Sequence, residues 1–305
     1  MTFKAAVIQD SPVLFNLQLT IDKVETLTKE ASRNGASLVV FPEAFISAYP
    51  KGLVFGAKIG SRTLKGRREF LQYYNSSLDL DSSEFRKLLD IAKKNKVFLV
   101  IGVIEKSLGT LYCTILHISD KGSLLCKHRK VMPTAAERLV WGFGDGSTLE
   151  TAKTRLGVLG SVICWENYMP MMRMSMYDQG IELYCAPTAD DRETWISTVK
   201  HIALEGRCFV FSSCQFFTKA DYPSEFDISN IVGDEPIMKG GSCIISPLGK
   251  VLASAGNKKR AIIYSEINLD EIIQGKYDFD VVGHYSRPDI FKLKVNKKSK
   301  KPVIL

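Results

Sequence analysis

The sequence has no long apolar run. The longest spans residues 97–104 and is broken by Gly102, far short of the ~20 residues a bilayer span needs. The N-terminus turns polar at Gln9 and Asp10, too early for a signal peptide. A cytoplasmic protein with no membrane partner is therefore expected. The seven cysteines are odd in number, widely spaced and contain no CxxC pair, which speaks against a cysteine-built metal site and against a disulfide framework. Most sit in apolar, strand-like stretches and read as buried, reduced, small hydrophobes. Only four histidines occur, His117, His128, His201 and His284, and none lies near Cys164 in sequence. A Cys–His dyad could arise only through folding. There is no internal repeat and no Pro/Ser-rich linker, so one domain is expected. No zinc-finger pattern or aromatic-rich recognition motif accompanies the basic charge, which leaves a nucleic-acid partner unsupported.

The chain has 305 residues, 45% hydrophobic and 24% charged. This is ordinary globular composition with enough length for a sizeable core. The net charge of +8 raises the question of an acidic partner. Its position answers most of that question. Lys292, Lys294, Lys297, Lys298, Lys300 and Lys301 all follow Asp289, and no acid follows them. A nearly neutral domain over 1–289 and a basic tail over 290–305, mobile or used in assembly, are expected.

Strand-like and helix-like segments alternate, which predicts an α/β fold. Strands are expected over 5–9, 37–41, 97–104, 111–118, 157–164, 181–186, 208–213, 242–246 and 261–267. A helix is expected over 17–34, with Ile21, Val24, Leu27 and Ala31 on one face and Gly35 as its stop. A second opens at an Asp81–Glu84 capping box and buries Phe85, Leu88, Leu89 and Ala92. A third starts at Pro170 and runs towards Gln179. A fourth carries Trp195, Val199, Ile202 and Ala203 and ends at Gly206. The segment 247–250 reads as a turn joining two late strands. Residues 50–75 and 219–239 read as long loops, of the kind that usually line a site or an interface.

Three segments place a reactive side chain at the end of a strand. In Val40-Phe41-Pro42-Glu43-Ala44-Phe45, Glu43 falls at the carboxyl end of a strand, where ligands bind in α/β sheets. Its apolar neighbours should raise its pKa and make it a better base. In Lys127-His128-Arg129-Lys130-Val131-Met132-Pro133, four cationic or potentially cationic residues read as a solvated surface or an anion patch. The alternative is a lysine that meets negative charge developing beside a nucleophile. In Ser161-Val162-Ile163-Cys164-Trp165-Glu166-Asn167, Cys164 lies between a strand and a helix, the context of a nucleophile elbow. Backbone N–H groups of such a turn can hold an anion.

Glu43, Lys130 and Cys164 with their flanks resemble the nitrilase superfamily of carbon–nitrogen hydrolases. The resemblance runs from Ala5-Ala6-Val7-Ile8-Gln9 to Gly283-His284-Tyr285-Ser286-Arg287-Pro288-Asp289. His128-Arg129-Lys130-Val131-Met132-Pro133-Thr134, Trp141-Gly142-Phe143-Gly144-Asp145-Gly146 and Cys164-Trp165-Glu166-Asn167 are similar to the true nitrilase branch. Amidase branches tend to carry Tyr or another residue after the cysteine. Pro187-Thr188-Ala189-Asp190 and Glu193-Thr194-Trp195 agree with the nitrilase pattern.

The resemblance implies a four-layer α-β-β-α sandwich. It implies hydrolysis of an organic nitrile to the acid and ammonia through a cysteine thioimidate and thioester. Cys164 would be the nucleophile, Glu43 the base, Lys130 the cation that meets the adduct's charge, and Glu137 the second carboxylate holding Lys130. The backbone N–H of Trp165 would be a further anion donor. No metal or organic cofactor would be needed, and the partners would be the nitrile and water. Tyr49, Trp165, Pro187, Thr188 and Trp195 are the candidates for lining the substrate pocket. A cyanide hydratase or dihydratase and an aliphatic amidase are alternatives within the same chemistry. A non-catalytic scaffold or filament on the same fold is the alternative outside it. The resemblance also implies a homodimer or a larger helical homo-oligomer, with the segment 284–289 in subunit contacts.

Overall fold

Runs of Val, Ile, Leu and Phe make pleated strands, and the amphipathic stretches between them coil into helices that cover the strands. The computed structural model describes residues 1–229, 231–257 and 259–300. The order is β1 (Thr2–Gln9), α1 (Leu17–Arg33), β2 (Ala36–Val40), α2 (Leu64–Asn75), α3 (Ser83–Asn95), β3 (Phe98–Ser107), β4 (Thr110–Ile118) and β5 (Leu124–Arg129). There follow β6 (Ala152–Thr154), β7 (Gly157–Ser161), α4 (Pro170–Asp178), β8 (Leu183–Cys185), α5 (Thr194–Gly206) and β9 (Phe209–Ser212). The last are β10 (Phe216–Phe217), β11 (Met238–Lys239), β12 (Cys243–Ile245), β13 (Val251–Ser254), β14 (Ala261–Asn268) and α6 (Asp270–Lys276).

Two six-stranded sheets result, in the orders β14-β1-β2-β3-β4-β5 and β13-β12-β9-β8-β7-β6. Each has a parallel centre, β1-β2-β3 in one and β7-β8-β9 in the other, flanked by antiparallel strands. Val7, Val40, Val100 and Ile115 of the first sheet share one buried cluster with Leu159, Leu183, Phe211 and Ile244 of the second. The opposite face of the first sheet packs Ala6, Val39, Leu99 and Leu116 against Ile21 and Val24 of α1 and Leu88 and Ala92 of α3. The opposite face of the second packs Tyr184 and Val210 against Met172 and Met176 of α4 and Val199 and Ile202 of α5. The layers are therefore helix, sheet, sheet, helix, with apolar burial on both faces of each sheet. Each large core side chain contributes roughly 1.5–3 kcal/mol.

Several expectations are corrected. The N-cap of α3 is Ser82, whose Oγ accepts the Phe85 N–H at 3.2 Å; the Asp81 N–H is taken by Asp79. Ile91, rather than Leu89, joins Phe85, Leu88 and Ala92 on the buried face of α3. The expected loop over 50–75 ends in α2, capped by Thr63 Oγ1 on the Gly66 N–H. Its Lys- and Arg-rich composition hides an amphipathic stripe that buries Tyr73. The stretch 219–239 holds a short helical turn, Lys219–Asp221, and ends in β11. The turn at 247–250 joins β12 to the unforeseen β13, not to β14.

The basic run belongs to β5 and its exit. Cys126, His128 and Lys130 point inward and are buried, while Lys127 and Arg129 alternate outward onto Glu105 at 2.6 Å each. A period of two, rather than net charge, governs these residues. The tail lies against the body. Val295 packs on the cluster beneath α4 and α5, and the Lys300 N–H donates to Asp145 Oδ2 at 2.7 Å. Positions 301–305 of the tail lie outside the described residues. No helix among the described residues is long and apolar enough to cross a membrane.

Candidate active site

Glu43 follows β2, Lys130 follows β5 and Cys164 follows β7. The carboxyl ends of the two sheets thus supply the three side chains, as the edge rule for α/β sheets requires. Beyond Val40 the chain leaves the regular strand but keeps running beside β3, and Ile46 bridges Val103 in parallel. The Phe41 N–H donates to Val100 O at 2.8 Å and the Gly102 N–H to Pro42 O at 3.1 Å. Only glycine permits this approach, because a Cβ on residue 102 would lie 2.2 Å from Pro42 O and 2.7 Å from Glu43 Cα. Gln215 Nε2 holds the Glu43 carbonyl at 2.7 Å.

Cys164 has φ +48° and opens a short helical turn, Cys164–Tyr168. Its N–H donates to Pro187 O at 2.9 Å. Asn167 Nδ2 donates to the carbonyls of Val162 and Cys164 at 2.8 Å each. Left-handed backbone recurs around the site, at Ala44 (φ +49°), Ser47, Ala48 and Ala135. Each such residue costs on the order of 1–2 kcal/mol, a strain tolerated where surrounding contacts over-determine the turn.

The three side chains meet. Lys130 Nζ donates to Glu43 Oε1 at 2.7 Å and to Glu137 Oε2 at 2.8 Å, and both Lys130 and Glu43 are buried. Glu137 is fixed in turn by the Tyr49 hydroxyl at 2.7 Å and by the Thr134 N–H at 2.6 Å. Thr188 Oγ1 donates to Cys164 Sγ at 3.2 Å. No histidine takes part: His128 Nε2 pairs with Glu166 and His117 Nε2 with Ser161, while His201 and His284 lie at the surface.

Burial pushes the Glu43 carboxyl above the usual carboxylate range; Lys130 opposes the shift and Glu137 adds to it. Burial also works against charge on Lys130, but Glu43, Cys164, Cys113 and Glu137 together hold its ammonium well above the usual lysine range. Burial and then the Glu43 charge push the Cys164 thiol up, against Lys130, Thr188 and the Ala189 N–H. The site thus holds an ammonium between two carboxyl groups beside a thiol.

Glu166 escaped the reading of the sequence. It is buried, accepts the Val131 N–H at 2.6 Å and the Ile163 N–H at 3.0 Å, and pairs with His128 at 2.9 Å. It therefore ties the exit of β5, which carries Lys130, to the turn that carries Cys164. The signal available was its place three residues after Ile163, where a helix-start carboxylate reaches back to the preceding N–H.

A cleft of about 200 Å³ opens onto Cys164, walled by Tyr49, Glu137, Trp165, Asp190 and Arg192. Trp165 donates Nε1 to Asp190 at 2.9 Å, and the Arg192 guanidinium lies 4.9 Å from its ring centroid. A second cleft of about 270 Å³ shares Tyr49 and Glu137 and is lined by Leu53, Phe55, Leu139, Val140 and Trp141. Of the five expected pocket residues, Tyr49 and Trp165 line the first cleft. Thr188 touches the thiol from below. Pro187 supplies its carbonyl to the Cys164 N–H. Trp195 is not in the wall; it is buried, with Nε1 on Ser212 Oγ at 2.8 Å and its ring against Tyr168.

Two facing sheets with a thiol, an ammonium and two carboxylates at their common edge define a class, the α-β-β-α sandwich with a Glu-Lys-Cys centre. Residues 4–277 match the family model for carbon-nitrogen hydrolases, and the chain belongs to that family. It is 51% identical to the aliphatic nitrilase of Sinorhizobium fredii, over 99% of this chain and 98% of that one. It is 50% identical to the bifunctional nitrilase/nitrile hydratase NIT4B of Nicotiana tabacum, over 99% of this chain and 88% of that one. The fold matches the carbon-nitrogen hydrolase of Helicobacter pylori with TM-score 0.75 at 21% identity, covering 95% and 97% of the two chains.

Proposed function

We propose that the chain is a nitrilase that converts an organic nitrile and two waters to a carboxylic acid and ammonia. The observation that carries this reading is the contact of Lys130 with both Glu43 and Glu137 at the mouth that holds Cys164. The identities with named nitrilases support it. Glu43 accepts the thiol proton as Cys164 Sγ bonds to the nitrile carbon. The electron pair of the C–N bond moves to nitrogen, and Lys130, with the Trp165 N–H, meets that charge in a site shielded from water. Glu43 passes the thiol's proton on to the nitrogen, which completes the thioimidate and returns the carboxylate to its base form. Glu43 then takes a proton from water as it adds to the same carbon. Loss of ammonia leaves a thioester, and a second water releases the acid and restores the thiol.

The apolar cleft beyond Tyr49 and Glu137 supports an organic nitrile over cyanide as substrate. A second reading, partial release of amide, is favoured by the nitrile hydratase activity in the name of one relative. In that case the adduct expels the thiolate in place of ammonia. Exposed Ile273, Tyr277, Ile290 and Phe291 support a homodimer or a larger helical homo-oligomer, and a cytoplasmic setting suits seven reduced, buried cysteines.

The test is ammonia and amide release from a panel of aliphatic, arylaliphatic and aromatic nitriles. Wild-type protein should release ammonia from at least one of them. Cys164→Ala and Cys164→Ser should release none while keeping the wild-type circular dichroism. Near wild-type ammonia release from either variant would remove Cys164 as nucleophile, and zero across the panel would favour the amidase alternative.

A further inference from the structure

A second thiol borders the site. Cys113, on β4, is fully buried in the layer between the sheets. Its carbonyl accepts the Lys130 N–H at 2.8 Å, and its Sγ donates to Glu43 Oε1 at 3.5 Å. One residue therefore touches the backbone of the lysine and the carboxylate of the base. Oε1 of Glu43 receives both Lys130 Nζ and the Cys113 thiol, whereas Oε2 is buried without a hydrogen-bond partner among the described residues. A buried carboxylate oxygen left unpaired is costly, and such atoms persist in folded proteins chiefly where a ligand, a water or the chemistry uses them.

We infer that Cys113 is a positioning residue: by sharing Oε1 with Lys130 it pins the Glu43 carboxylate and leaves Oε2 as the oxygen that accepts protons. A carboxylate held by one donor can turn either oxygen to the reactants. Two donors on one oxygen remove that freedom. Cys113 is not a rival nucleophile, because burial and then the Glu43 charge push its thiol well up and keep the S–H intact as a donor. The thiol is a weak donor, so its effect tunes the base rather than creating it. Lys130 and Glu137 also face Glu43, as do the hydroxyls of Tyr49 and Tyr73 and the thiols of Cys164 and Cys214. All of these stay in place when residue 113 alone is changed.

The inference rests on Glu43 acting as the base. Cys113→Ala removes the donor and Cys113→Ser restores one. Two profiles are measured from pH 5 to 9 for wild type and both variants. One is kcat/KM for a nitrile that the wild type hydrolyses. The other is the rate at which iodoacetamide labels Cys164, read by peptide mass spectrometry. Losing a donor to the charged carboxylate should move the acid limb of Cys113→Ala up by about half a pH unit, with a ~3-fold loss at its foot. Cys113→Ser should keep the wild-type limb or move it lower. Coincident limbs for wild type and Cys113→Ala overturn the inference, as does an equal shift in Ala and Ser, which would point to space and not to the donor. If Cys113→Ala does not fold, Cys113→Val removes the donor while filling the site, and the same comparison applies. If the wild type hydrolyses no nitrile and the labelling limbs still separate as expected, the nitrilase reading falls and the role of Cys113 stands.

Discussion

Lys130 can stay charged in the core only because Glu43, Cys164, Cys113 and Glu137 surround it. Two carboxylates at 2.7 and 2.8 Å replace the water it has lost. Removing one partner of such a buried pair costs on the order of 3–5 kcal/mol, so the residues of the site also hold the fold. His117 shows the opposite solution. It is fully buried between Ser161 Oγ at 2.8 Å and Cys126 Sγ at 3.4 Å. Burial, helped by His128, lowers its pKa from 6.5 to about 4. Above pH 6.5 the imidazole is neutral in folded and unfolded chains alike, and stability is insensitive to this group. Between pH 6.5 and about 4 the unfolded chain takes up a proton that the folded chain refuses, so stability falls as pH falls. The loss between pH 7 and 5 should be about 2 kcal/mol. Urea unfolding of wild type and His117→Gln at both pH values measures it: the variant should lack that increment. Equal pH dependence in the two proteins would show that His117 contributes none. At this scale the candidate residues were legible in the sequence, since Glu43, Lys130 and Cys164 each fall at the end of an expected strand. Tyr49 on Glu137 was legible only as an aromatic near the site, because a hydrogen bond across 88 positions has no local signal.

Elements are set by caps and periods, and the sequence misleads where two readings compete. At α3, Asp81 and Ser82 are both good caps. The structure selects Ser82, with its Oγ on the Phe85 N–H, so Ser82→Ala should cost about 1 kcal/mol. Asp81→Ala should change stability by less than about 0.5 kcal/mol, as for a surface site. Thermal melts of the two variants decide it, and an Asp81→Ala loss equal to that of Ser82→Ala would restore the Asp81 cap. In β5 the cationic run suggested a solvated surface, yet alternate side chains enter the core. Buried Glu105 makes this possible from outside. Although burial raises its pKa, hydrogen bonds from Arg129 and Lys127 bring the carboxyl below its usual range, so the outward half of the strand is neutralised. In α2 the cationic first turn concealed a buried stripe whose partner, Phe55, lies in the preceding loop. Local composition could not announce that contact.

The whole molecule brings together two sheets far apart in sequence. Glu43 and Lys130 come from one and Cys164 from the other, and Glu166 fastens the two edges through Val131 and Ile163. The surface has its own consequence. Ile273 and Tyr277 stand one turn apart on α6 and its exit, 70% and 90% exposed, an unusual outlay of apolar area for a monomer. Light scattering on the purified chain should give at least twice the chain mass, and Tyr277→Asp should lower it. A monomeric wild type would remove the assembly reading, and an unchanged oligomer in the variant would move the interface off this face. The tail, which carries most of the net +8, is laid over Asp145 through Lys300. Scattered histidines, no CxxC pair and no membrane-length apolar run spoke against a membrane span, a cysteine-built metal site and a disulfide framework, while the resemblance of the flanks of Glu43, Lys130 and Cys164 to carbon–nitrogen hydrolases singled out a carboxylate, a lysine and a thiol. The sequence by itself determined the α/β alternation, because strand ends, caps and apolar periods are local properties, and its short motifs carried the resemblance to the family. Tertiary structure alone decided which oxygen of Glu43 has no hydrogen-bond partner among the described residues, that Glu166 joins the two edges, that Trp195 is core and that Cys113 faces Glu43. These depend on distances between residues tens to hundreds of positions apart, and only packing sets such distances.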